Sequence, residues 1–176
     1  MTVTMAHIKS EQPPRPQTRG ATLKFITVKL NKLTVALPID AVDKVIRQTT
    51  VLGSGLNPMG VTHYEGNPIT VIDLHYQLFQ HRQDPIPNQS YLIIAKTGSR
   101  KFALPIQGAP NLAEFGKHQL RVLPMSYRRA DTLGIASHVV RTISPTGEDT
   151  TFFILDMDYL ANVHSNTINN PLKTLS

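Results

Sequence analysis

Apolar and polar residues alternate along this chain over short runs, and residues that favour turns separate the runs. LKFITVKL (Leu23–Leu30), the pair Asn31-Lys32 and LTVAL (Leu33–Leu37) follow a period of two, which predicts a β-hairpin. In the next stretch, IDAVDKVIR, Asp40 suits a helix N-cap and Val42, Val45 and Ile46 share one helical face, so a short helix is expected. A segment containing Gly53, Gly55 and Pro58 leads to GVTHY, a turn at EGNP and the strand ITVI. Asp73 is then placed to cap a short helix, LHYQLFQ, with Leu74 and Leu78 on one face. Residues 81–89 form a polar connector containing proline. The polar, proline-rich start (1–20) and the tail after Ala161 predict flexible ends.

After the connector the pattern returns. SYLIIAKTGSRKFALPI echoes LKFITVKLNKLTVALPI down to the tetrapeptide ALPI, with Ala36 and Ala103 standing 67 residues apart. Gly60-Val61 recurs as Gly134-Ile135, and VIDLHY as ILDMDY, which makes Asp156 the counterpart of Asp73. The landmarks keep their order while the loops of the second copy lengthen. This is a duplicated β unit; solenoid periods are shorter and more numerous. About five short strands per copy suit a small curled sheet or barrel packed on its sister. Gly108 and Pro110 within QGAPNLAEF argue against a helix at that point of the second copy.

A length of 176 residues, 40% of them hydrophobic, fits one mid-sized domain or two very small ones. The absence of cysteine excludes disulfides, thiolate metal sites and cysteine nucleophiles. No apolar run approaches the roughly 20 residues of a membrane span, and MTVTMAHIKSEQPPRPQTRG lacks the apolar centre of a signal peptide. A cytoplasmic protein without membrane insertion is expected. The net charge of +6 raises nucleic-acid binding, yet only Arg100-Lys101 and Arg128-Arg129 are adjacent basic pairs. No segment interleaves them with aromatics as a base-stacking groove would. Nucleic acid is therefore not an expected partner, and a basic nucleic-acid-binding pair of barrels stays as the alternative.

His63, Asp73 and His75 invite a metal reading, but their spacing is weak beside two histidines at i, i+4 on a helix. Asp73 has competing work as a cap, and in the repeat the histidine positions become Ser137 and Asp158. Ser137 and His138 are neighbours on a strand, which should point them to opposite faces and keep them from acting as nucleophile and base. No G-x-S-x-G elbow occurs, and the GSG of Gly53–Gly55 lacks the Lys-Ser/Thr of a phosphate loop. Tyr76 and Tyr159 read as packing residues with the hydroxyl at the surface. No catalytic residue, metal ligand or cofactor is expected.

The order ALPI, DAVDKVI, GVTHYEG and NPITVIDL resembles the CheW-like domain of chemotaxis adaptors, over about residues 22–161. That family shows an AV-x-EV-type helix after its second strand, then G-V-x-N-L-R-G and a V-D-L strand end. The resemblance implies an all-β fold with short helices: two small five-stranded SH3-like β-barrels side by side. The first would cover about 22–85 and the second about 89–161, with exchange of strands between them left open. A disordered arm (1–21) and a flexible tail (162–176) would flank them. It further implies a non-enzymatic adaptor that joins the regulatory domain of a CheA-type histidine kinase to the cytoplasmic tip of a methyl-accepting receptor, recruited to membrane-associated arrays.

Carried onto this chain, the partner-binding set implied by the resemblance is Ile39, Val42, Lys44, Gly60, His63, Glu65 and Gly66. Ile39 and Val42 are the apolar positions after the second strand; Gly60 and Gly66 frame the loop. The family's Asn is here His63, its Arg is Glu65, and its Glu is Lys44. Either Lys44 and Glu65 form the family's ion pair with its poles exchanged, or they are two unrelated surface substitutions. An exchanged pair would mark an adaptor dedicated to one pathway, poorly matched to a generic kinase. The second half fits the family with a longer hairpin around Ser144–Glu148.

Overall fold

The structure is a computed structural model that describes residues 21–53, 59–130, 132–143 and 147–168. The expected N-terminal arm, the segment with Gly55 and Pro58, and part of the Ser144–Glu148 hairpin lie outside the described residues.

Strand β1 (Thr22–Leu30) turns through Asn31 into β2 (Leu33–Pro38), as the alternation requires. Pro38 then gives way to a single 3-10 turn, Ile39–Ala41, with no side-chain cap, and Val42–Arg47 forms strand β3. The helix expected from IDAVDKVIR does not exist. The i, i+3, i+4 spacing of Val42, Val45 and Ile46 is helical, but all three are β-branched, and a neighbouring strand supplies the backbone partners that decide for a strand. The bulge of that strand sets Val42 and Val45 on one core and Ile46 on another. Strands β4 (Met59–Tyr64) and β5 (Asn67–Ile72) form a second hairpin, followed by helix α1 (Leu74–Phe79). The Asp73 carboxylate accepts from the Tyr76 N–H at 3.0 Å, the cap expected of it.

The second copy runs through β6 (Ser90–Thr97), β7 (Arg100–Gln107), β8 (Asn111–Gly116), the two-residue β9 (Arg121–Val122) and helix α2 (Met125–Ala130). It closes with β10 (Ala136–Ile143), β11 (Asp149–Leu155) and helix α3 (Met157–Ile168). Asp156 caps α3 through the Tyr159 N–H at 3.0 Å, repeating the role of Asp73. Since α3 runs to Ile168, residues 162–168 of the expected flexible tail are helical.

One sheet has the order β8-β1-β2-β11-β10-β9 and the other β3-β6-β7-β5-β4. The sheets do not follow the halves of the chain. The β1–β2 hairpin of the first copy joins strands of the second through a parallel β2–β11 pairing. In return, the β6–β7 hairpin joins β3–β5 of the first copy through a parallel β5–β7 pairing.

Alternation along the two ALPI strands distributes their side chains between three cores. Ala36 packs with Phe25, Phe115, Val140 and Ile154 inside one barrel; Ala103 packs with Tyr64, Ile69, Leu92 and Ile94 inside the other. Leu37 and Leu104, one residue on, both enter a third core shared between the barrels, together with Leu74 and Leu160 of the two capped helices. All four ALPI residues named are fully buried. Leu37→Ala and Leu104→Ala should each cost about 2–5 kcal/mol. Both should lower a single unfolding transition, because the third core and the exchanged strands belong to both barrels. Calorimetry resolving two independent transitions, with each variant shifting only one, would contradict this.

Candidate partner-binding face

Four of the residues singled out by resemblance sit on one hairpin. Gly60 and His63 lie in β4, while Glu65 and Gly66 make the two-residue turn into β5. Both turn residues are left-handed, with φ of 51° and 78°, the pattern of a type I′ turn. Glycine suits Gly66 for that reason. Gly60 has another: it is in a strand, where β4 is bridged to Leu52, and an added Cβ would lie 2.9 Å from the Leu52 carbonyl oxygen. Gly60–Tyr64 is thus strand and not loop, and at about 3.4 Å per residue the two glycines stand at opposite ends of β4.

Ile39 and Val42 are half-buried, and Val42 also packs on the shared core. Lys44 is exposed on β3, but no ion pair joins it to Glu65. The reason is a bulge. The β3–β6 register slips between Val42 and Lys44, leaving Asp43 as the extra residue. Asp43, and not Lys44, reaches the centre of a charge cluster. There the Lys101 ammonium of β7 donates to Asp43 Oδ2 at 2.8 Å and lies 3.9 Å from Glu65 Oε2. Lys96 adds a longer contact to Asp43, at 3.9 Å. Beneath the cluster, the Tyr64 ring has its centroid 5.2 Å from the same Lys101 nitrogen.

The hydrogen bond from Lys101 holds the Asp43 carboxyl below its ordinary pKa, and the same bond raises that of Lys101. Burial, with the neighbouring Glu65 carboxylate, raises the Tyr64 phenol. Beside Lys101, a cleft of about 450 Å³ opens between Asn67, Pro68, Arg100 and Ala161 of α3.

The other candidate chemistry takes structural roles. His63 is exposed; His75 is 4% exposed, with its Nδ1 2.9 Å from the His81 carbonyl oxygen. Among the described residues, no three His, Asp or Glu side chains gather as a metal site. Ser137 and His138 do meet, contrary to expectation, with Oγ and Nδ1 2.9 Å apart. Ser137 is itself a bulge residue, since the β10–β11 register slips between Ala136 and His138 and suspends the alternation of faces. Neither residue lines the cleft beside Lys101, and the Ser137 hydroxyl lies 3.5 Å from the Ile154 carbonyl oxygen. Tyr76 and Tyr159 stack under arginines that the sequence did not disclose. Arg82 pairs with Asp73 and lies over Tyr76, while Arg128 pairs with Asp156 and lies over Tyr159.

Two strand-exchanged SH3-like barrels with a charged hairpin corner define the class as a double-barrel domain. The family model described as "CheW-like domain" matches residues 24–164. The chain belongs to the CheW-like domain family. Its fold is similar to that of the scaffolding protein TtCheW from Thermoanaerobacter tengcongensis, with a TM-score of 0.63 and 17% identity over 86% of this chain and 91% of that one. No curated protein matches the chain.

Because its pKa is lowered by folding, Asp43 stabilises the protein above its unfolded-state value, about 3.9. That contribution disappears as pH falls through the lower folded value. Carboxyl NMR should place the Asp43 midpoint below the ordinary range, and Lys101→Met should raise it. A midpoint at or above the ordinary value in the wild type would contradict the cluster.

Proposed function

We propose that this protein is a non-enzymatic chemotaxis-type adaptor, coupling a CheA-type histidine kinase to methyl-accepting receptors. The observation that carries the reading is the family match over residues 24–164. The face described above supports it. Half-buried Ile39 and Val42 offer apolar anchors, Lys44 and His63 lie exposed, and the Glu65–Gly66 corner is tied to β3 through Lys101 and Asp43. Transient signalling contacts need little area, and a few anchors carry most of their free energy. The mechanism is scaffolding: an adaptor that binds one kinase state more tightly shifts the kinase toward it.

Glu65 and Lys44 stand where the family carries charges of the opposite sign. A kinase matched to the family pattern would meet like charges here, so the adaptor is dedicated to its own pathway. No helix among the described residues is long and apolar enough to cross a membrane. The reading places the protein in the cytoplasm, reaching receptor arrays through its partners.

Co-purification with the native kinase's regulatory domain tests the proposal. Val42→Asp should weaken binding by about 10–100-fold while circular dichroism stays unchanged. Lys44→Glu, at an exposed position, should move preference toward a generic kinase. Full binding by a folded Val42→Asp protein, or equal binding of both kinases by the wild type, would count against the reading.

A further inference from the structure

Glu65 holds a backbone conformation that its residue type disfavours. It is the first left-handed residue of the β4–β5 turn, where Asn or Asp before Gly is the usual choice because a short side chain tolerates that state. Strained positions of this kind persist where their surroundings hold them. The cation holding Glu65 is Lys101, 3.9 Å from its carboxylate. The same ammonium is anchored by Asp43 at 2.8 Å and seated on the Tyr64 ring. Asp43 reaches it only as the bulge residue of β3. Groups from β3, β4 and the turn therefore converge on one side chain of β7. With the Glu65 side chain 64% exposed, its carboxylate remains open to a partner while lying within 3.9 Å of the anchored Lys101.

We propose that Lys101 is a positioning residue for the corner Tyr64–Gly66, and that the fixed Glu65 carboxylate selects a partner surface offering a lysine or arginine opposite it. An acidic partner group would meet the open Glu65 carboxylate and be repelled, whereas Asp43 is already neutralised by Lys101 and Lys96. The partner's identity as a kinase rests on the adaptor reading; the positioning role is a property of the free protein.

Nitrogen-15 relaxation of the full chain, together with calorimetric titration of the native kinase's regulatory domain at two salt concentrations, tests both parts. Lys101→Met should lower the order parameters of Tyr64–Gly66 from about 0.85 toward 0.6 and weaken binding by about 3–10-fold; Lys101→Arg should restore both. Glu65→Gln should weaken binding and flatten its salt dependence. Unchanged order parameters in Lys101→Met would overturn the positioning role, whatever the kinase does. Unchanged or tighter binding by Glu65→Gln would overturn the basic partner. If the wild type fails to bind the kinase, the adaptor reading falls, and relaxation still decides the role of Lys101.

Discussion

Parallel pairing of β2 with β11, and of β5 with β7, makes each copy of the repeat depend on the other. A β-hairpin alone is marginal in water, and the first hairpin of each copy finds its sheet only in strands of its sister. The consequence runs through the packing. Leu37 and Leu104 meet in the core between the barrels, and the capped helices α1 and α3 bury Leu74 and Leu160 against it. These contacts are distant in sequence, a topology that slows folding and leaves the finished domain without a dispensable half.

The Glu65–Gly66 corner sits on that seam. Lys101 precedes Phe102, which pairs with Thr70 across the parallel join. Exposed ion pairs of this kind contribute little to stability, so the importance of the cluster is geometric. It ties the β4–β5 turn, through Lys101 and Asp43, to the bulge of β3. The paired arginines act differently. Arg82 and Arg128 each join a capping aspartate to the tyrosine three residues further on, and fasten the helices that close the shared core. Their sequence positions do not correspond, one following its helix and the other preceding its strand by several residues. The two copies therefore reach the same arrangement from different elements, Arg82 from the connector after α1 and Arg128 from helix α2.

Much of the fold was legible because its signals are local. The period-two runs, the ALPI repeat and the capping aspartates each declare themselves within a few residues. What escaped is set by partners far along the chain. Val42, Val45 and Ile46 read as a helix, and the hydrogen bonds that make them a strand come from β6, far along the chain. Bulges at Asp43 and Ser137 shift register by one residue, which moves side chains to another face. The first slip replaced Lys44 by Asp43 in the charge cluster, and the second brought Ser137 to His138. Lys101 read only as half of an adjacent basic pair, and nothing in its neighbours pointed to Glu65, which stands 36 positions earlier.

The central claim is that this domain couples a receptor to a kinase without chemistry of its own. Reconstitution tests it most directly: kinase autophosphorylation measured with membrane-embedded receptor, in the presence and absence of the purified protein. The account requires that receptor stimulate or inhibit the kinase only when the protein is present, and that the effect saturate with its concentration. Receptor control of the kinase that is unchanged by adding the protein at saturating concentration would contradict it.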